Sequence, residues 1–168
     1  GMKIDRVADN VYVFVSEMYA QVVSTAIISA EGALVIDALP FPSEARQIIA
    51  FLEKRCGPDC VRYLVLSHYH ADHTYGAYLF DGAQVLAQHR CRAILERYGR
   101  ASLANAKRGA PALAEVELRM PDACFASELH LHLGGVHLQL LHTPGHTADG
   151  ASAFYVDERI VIAGDAMM

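Results

Sequence analysis

Within the stretch SHYHADHTYG, residues 67–76, four side chains can donate to a metal ion: His68, His70, Asp72 and His73. Imidazole nitrogen and carboxylate oxygen form a donor set that suits zinc, and also iron or manganese; without thiolate the choice stays open. The stretch follows the apolar run VRYLVL, residues 61–66, which reads as a strand. At a strand end, side chains two apart point the same way, so His68, His70 and Asp72 share one side of the loop. His73 falls where the chain turns into a helix and approaches from another direction. One ion cannot easily take all four, whereas two neighbouring ions can, His68 and His70 serving one and Asp72 and His73 the other. The odds of a chance H-x-H-x-D-H pattern in such a chain are roughly one in a thousand.

Two later stretches carry donors of the same kind. In LHTPGHTADG, residues 141–150, the Pro144-Gly145 turn aims His146 back toward the first stretch, while His142, at the strand end, is the weaker ligand candidate. In RIVIAGDAMM, residues 159–168, a buried apolar strand ends in Gly164-Asp165. That places the Asp165 carboxylate at the mouth of a sheet, where it needs a partner and could bridge two cations.

The elements that must hold these residues are legible in outline. NVYVFVSE, VVSTAIISA and GALVID are β-branched and apolar and read as strands. PFPSEARQIIAFLEKRCG reads as a helix capped by Ser43, with Ile48, Ile49 and Leu52 on its inner face and Gly57-Pro58 ending it. After the histidine stretch, TYGAYLF reads as a short helix, AQVLAQ as a strand and HRCRAILERYGRASLAN as a longer helix, with His89 at its start as a cap or a cleft wall. Residues 105–122 read as a long loop with helical pieces. SELHLHL, VHLQLLH, ASAFYV and RIVIAG are four further strands. His130 and His132 alternate on one face of the first of these, with His137 just beyond a Gly134-Gly135 turn, and read as the polar face of a hairpin. Strands flanked by helices imply a layered α/β architecture.

Composition excludes several classes. The chain has 168 residues, 53% of them hydrophobic, a length and content that fit one domain with a substantial core. The net charge of −5 gives no support to a nucleic-acid or anionic-membrane partner. No apolar run reaches the roughly 18 residues of a membrane span, and the start lacks a basic-then-apolar leader, so a cytoplasmic protein is expected. Gly1 before Met2 reads as a tag-cleavage scar. Of the four cysteines, Cys56 and Cys60 frame CGPDC as a small disulfide or half a zinc site; Cys91 and Cys124 are too scattered to complete such a site, and the favoured reading is reduced thiols.

His68-x-His70-x-Asp72-His73, then Thr143-Pro144-Gly145-His146-Thr147, then Gly164-Asp165, in that order, resembles the metallo-β-lactamase superfamily, and ALVIDA before the first helix is similar to its N-terminal pattern. The resemblance covers essentially the whole chain. It implies a four-layer αββα sandwich, with the site at one edge of the two sheets. It also implies a binuclear centre: His68, His70 and His146 on the first metal, Asp72 and His73 on the second, Asp165 bridging. Asp37 then takes the place of a buried acid that orients the site from beneath. The resemblance further implies one more histidine beyond the bridging acid, together with more strands and a closing helix. The chain is therefore expected to be truncated after Gly164-Asp165, or to draw a ligand from a neighbouring subunit, as in a homodimer.

Two zinc ions holding a hydroxide, with Asp72 orienting it and taking its proton, would make the protein a hydrolase. No G-x-S-x-G nucleophile elbow competes with that reading. Aspartate at the bridging position looks more like the thioesterase, lactonase and phosphodiesterase branches than like true β-lactamases. A small thioester, lactone or related ester is the expected substrate. Lys107 and Arg108 in NAKRGAPA read as ordinary solvated charges, though near the mouth they would favour an anion, and the hairpin at Met18-Tyr19-Ala20 falls where the family carries a loop over the cleft. The rival readings are a mono-iron enzyme that oxidises persulfides, and a non-catalytic binding member of the superfamily.

Overall fold

The protein is described by a computed structural model covering residues 2–19 and 22–163. A seven-stranded sheet runs in chain order through β1 (Lys3–Ala8), β2 (Val11–Val15), β3 (Val23–Ser29), β4 (Gly32–Ile36), β5 (Val61–Val65), β6 (Gln84–Gln88) and β7 (Ala123–Phe125). The first four strands pair antiparallel through hairpins, and β4 to β7 pair parallel. Parallel pairing needs crossovers. The first is α1 (Pro42–Cys56); the second is α2 (Ala71–Thr74) with the 3-10 turn Tyr75–Leu79. The third joins α3 (His89–Ile94), a π-turn (Leu95–Gly99) and α4 (Arg100–Gly109). A second sheet holds four antiparallel strands in the order β11-β10-β9-β8: β8 (Glu128–Leu133), β9 (Val136–His142), β10 (Ala151–Tyr155) and β11 (Ile160–Ile162).

Burial follows from which faces are covered. Every residue of β4 is buried, because one face meets helices and the other meets the second sheet. In the first of these layers Val35, Leu64, Leu66 and Val85 pack with Ile48 and Leu52 of α1. In the second, Leu34, Ile36, Val65 and Leu86 pack with Leu138, Leu140 and Ala153. By contrast β9 alternates, with Val136, Leu138 and Leu140 buried and His137, Gln139 and Leu141 partly open. This is the period of two expected of a strand with one covered face. Fully burying a leucine or isoleucine such as Ile48 or Leu52 contributes roughly 1.5–3 kcal/mol, so these two layers hold the parallel strands in register beneath the histidine stretch.

Several local expectations are corrected. Strands β1 and β7 were not among those expected: β1 is an exposed edge strand, KIDRVA, without a buried face, and β7 has only three residues. Helix α1 starts two residues earlier than a Ser43 cap implies, with Phe41 at the cap position and Pro42 first in the helix; the Ser43 hydroxyl instead contacts Met18 Sδ at 3.3 Å. Gln88, not His89, caps α3, its side chain accepting from the Arg90 amide at 2.8 Å. Cys56 and Cys60 are joined as a disulfide rather than reduced. The end of α1 and the turn through Gly57, at φ 91°, fold the chain back and bring their Cα atoms to 5.8 Å. Among the described residues, no helix is long and apolar enough to cross a membrane.

Candidate metal centre

Leaving β5, the chain bends through Ser67, His68 and Tyr69 and enters α2 with His70 at the cap position. Asp72 and His73 therefore belong to a helical turn rather than to a continued extended run. This corrects the expected alternation: His68 and His70 project from a loop, Asp72 sits at the start of a helix, and His73 points down into the protein, fully buried. The helical turn rotates successive side chains by about 100°, yet the Asp72 carboxylate still reaches back to His73, with Oδ2 3.3 Å from Nε2.

Beneath the loop lies Asp37, 1% exposed, at the end of β4 and in the left-handed region at φ 68°. Its Oδ1 accepts from the Ser67 amide at 2.7 Å; its Oδ2 accepts from the Ser67 hydroxyl at 2.7 Å and from His73 Nδ1 at 2.6 Å. These bonds assign tautomers. A carboxylate only accepts, so His73 carries a proton on Nδ1, and Nε2 is the nitrogen that could serve a metal. The Ser67 hydroxyl spends its single proton on Asp37, so toward His68 Nδ1, 2.9 Å away, it can only accept. His68 is thereby also protonated on Nδ1, which leaves Nε2 as the atom that could serve a metal. Ser67 was not singled out from the sequence, yet it orients His68 and fastens the two sheets, since its carbonyl accepts from the Ala151 amide at 2.8 Å.

That link brings the β9–β10 loop over the site. The Thr143 amide donates to the Gly150 carbonyl at 2.8 Å, and His142 Nε2 lies 2.8 Å from the Ala148 carbonyl, so His142 braces the loop that carries His146. The rings of His70 and His146 are 5.0 Å apart and those of His68 and His146 5.7 Å. One donor atom from each of His68, His70 and His146 lies within 4.8 Å of the others, and the same holds for His68, Asp72 and His73. His68 thus stands between both groups, its ring 4.0 Å from that of His73, so the division inferred from spacing is less sharp in three dimensions. Asp165 lies outside the described residues.

The donor set fits a divalent metal. Ligands at about 2.1 Å from a tetrahedral ion stand roughly 3.4 Å apart, a small side-chain adjustment from the separations present. Charge within the cluster is already balanced around His73. Burial acts to lower its pKa, but the Asp37 carboxylate and then Asp72, with Oδ2 3.3 Å from Nε2, outweigh it and push it up to about 11. For Asp72, burial acts upward, and the hydrogen bond and charge of His73 bring it net below the ordinary carboxylate range. In the metal-free protein His73 is an imidazolium held between two carboxylates, and a cation held at Nε2 would take the place of a proton there. Cys91, buried beneath this region, offers no nucleophile: burial, reinforced by the Asp149 charge, raises its thiol far above the usual range.

One glycine is a steric requirement of the site. A Cβ on Gly76 would stand 2.8 Å from the Leu39 carbonyl oxygen and closer still to that of Ala38. These are the carbonyls of the segment that follows Asp37, and the Gly76 amide donates to Leu39 at 2.9 Å while the Ala38 amide donates to the His73 carbonyl at 2.9 Å. The histidine turn is pressed against its supporting strand at this point.

A sequence model of the metallo-beta-lactamase superfamily matches residues 19–168. The chain belongs to this superfamily. Among curated relatives, hydroxyacylglutathione hydrolase of Rhodopseudomonas palustris strain HaA2 is 30% identical over 124 residues, 74% of this chain and 40% of the relative. The protein of the same name from Nitrobacter hamburgensis is 28% identical over 104 residues, 62% of this chain and 33% of the relative. The chain thus spans well under half the length of these relatives. Among solved structures, a metallo-beta-lactamase from Pontibacter korlensis superposes with a TM-score of 0.76 at 18% identity, covering 96% of this chain and 70% of that one. Native FEZ-1 metallo-beta-lactamase from Legionella gormanii gives 0.68 at 20% identity, covering 90% and 57%. The superfamily's αββα fold is shown, and the described helices and two sheets supply its first three layers.

Proposed function

We propose that the protein is a metal-dependent hydrolase of small thioesters, lactones or related esters, with zinc as the metal. The observation that carries this reading is the convergence of His68, His70 and His146 donor atoms from two loops on opposite sheets. These three side chains would hold one ion. Asp72 and His73 would hold a second, with His68 close to both and Asp165 between them. When bound, such a cation supplies a water acidic enough to ionise near neutral pH and polarises a carbonyl oxygen.

The residues of the chain do the rest. Asp37 and Ser67 fix the ring orientation of His68 and His73, which is worth about 10–100-fold in metal affinity in comparable sites. Asp72 is ionised at neutral pH and half-buried, so it can orient the attacking water and accept its proton on a carboxylate oxygen. The name of the curated relatives denotes hydrolysis of an acyl-glutathione, which is a thioester, and this supports the thioester among the three substrate classes.

Metal analysis of the purified full-length protein, followed by assay against thioester, lactone and phosphodiester substrates, tests the reading. Zinc and thioester or lactone turnover are expected. One iron per chain with oxygen consumption would overturn it in favour of an oxidoreductase.

A further inference from the structure

Beside His70 opens a cavity of about 520 Å³. It begins at Tyr69, His70 and Ala71, where it shares His70 with the candidate metal centre, and runs toward the α3–α4 region. Its walls are the rings of Tyr69, Tyr75 and Tyr98 and the aliphatic side chains of Ile94, Leu95 and Leu118. No lysine, arginine, aspartate or glutamate among the described residues lines it. Lys107 and Arg108, candidates from sequence for an anion-attracting mouth, are absent from its wall; Lys107 lines a separate surface depression further along α4.

The far wall is built by the π-turn Leu95–Gly99. The extra residue of a π-turn bulges the backbone and re-aims side chains, and such turns recur at functional sites. Here it carries both Leu95 and Tyr98 to the cavity. Gly99 permits the wall to close, since a Cβ there would stand 2.8 Å from Leu118 Cδ2. Tyr98 is 55% exposed, an open aromatic face at the cavity rim rather than a core residue. An apolar cavity next to a hydrolytic centre, with a few polar tips and no charge, selects by burial and ring contact.

Resting on the hydrolase reading above, we propose that this cavity is the specificity pocket and takes an uncharged aromatic or branched apolar group attached to the scissile ester or thioester. A glutathione moiety, with its two carboxylates and ammonium, is a poor match, because desolvating charge against rings and aliphatic carbons has no compensating partner there. The substrate class of this chain therefore departs from that in the name of its curated relatives.

The test compares four thioesters on the metal-loaded full chain: S-methyl thioacetate, S-benzyl thioacetate, S-methyl phenylthioacetate and S-lactoylglutathione. At least one ring-bearing ester is expected to exceed both others by about tenfold or more in kcat/KM, carried mainly by KM. Ser102→Trp, at an exposed α4 position on the cavity wall, fills the space and removes that preference. Tyr98→Ala, which leaves the core intact, weakens it. Independently of turnover, benzyl methyl sulfide, which cannot be hydrolysed, is titrated while tyrosine ring resonances are followed by NMR. Saturable shifts in the wild type that vanish in Ser102→Trp support the pocket. Preference for S-lactoylglutathione, or absence of shifts in the wild type, overturns it. Shifts without hydrolysis of any ester would leave the pocket standing and sink the hydrolase reading; hydrolysis without ring preference or shifts would do the reverse.

Discussion

His68, His70 and His146 meet where the two sheets come together, whereas His130, His132 and His137 lie together on the β8–β9 hairpin. Both are groups of three imidazoles with short ring contacts: His132 and His137 stack at 4.2 Å, and His130 Nδ1 lies 2.8 Å from His137 Nε2. What differs is the support. His68 is 5% exposed and oriented by Ser67, itself fixed by the buried Asp37. His130 has a side chain 43% exposed, with Glu128, 52% exposed, as its carboxylate partner at 3.2 Å. An exposed pair of this kind is worth little, because water competes for both groups. Proximity of ligand-type residues is thus common to both groups, while a buried carboxylate that fixes tautomer and ring angle belongs to one.

His68→Ala is expected to lower bound metal and reduce kcat/KM by more than about 100-fold, since a ligand should matter at least as much as the groups that orient it; retention of full metal content and activity would show the site has been misread. Next, Asp37→Ala leaves the Ser67 hydroxyl and His73 Nδ1 buried without their acceptor. A loss of about 3–5 kcal/mol in metal-free stability, read by urea unfolding, should accompany weaker metal uptake measured against a competing chelator. Gly76→Ala forces apart two carbonyls that cannot rotate away, and a loss of about 1–3 kcal/mol is expected by the same unfolding assay; an unchanged midpoint would mean the turn is not pressed on its support.

The buried Asp37–His73 pair has a pH signature of its own. His73 has a folded pKa raised to about 11 from 6.5, so its contribution to metal-free stability is complete below about pH 6.5 and declines as pH rises through about 11. Unfolding midpoints of chelator-treated protein should therefore fall across that window, and apparent metal affinity should rise over it, because uptake displaces the His73 proton. A flat profile would argue against the Asp37–His73 pairing. The smallest effect belongs to the exposed group: His130→Ala with His137→Ala should leave metal content and turnover of the centre unchanged within about twofold, since surface substitutions usually stay near 0.5 kcal/mol. Loss of metal in that double variant would erase the contrast.

Much of this was legible from residue order. The run VRYLVL and the alternation in VHLQLLH marked β5 and β9, and the spacing His68-x-His70-x-Asp72-His73 marked the metal-capable stretch before any fold was known. The misses have physical causes. Strand β1 is an exposed edge with no covered face, so it carries no hydrophobic period, and β7 is too short to show one. The Cys56–Cys60 disulfide depended on the turn after α1, which decides whether two thiols four residues apart face each other. The π-turn at Leu95–Gly99 gave no signal, because α-helical and π-helical periods are indistinguishable over five residues.

Residue types and spacing by themselves determined which donors the chain can offer, the α/β class and the superfamily likeness, because ligand chemistry and hydrophobic periodicity are local properties. Tertiary structure alone decided that Ser67 orients His68, that His68 stands between two donor groups, that Asp37 clamps His73 from 36 positions away, and that an uncharged cavity opens beside His70. These depend on which strand ends lie side by side. Packing of two sheets and their crossovers sets that arrangement, and no local pattern encodes it.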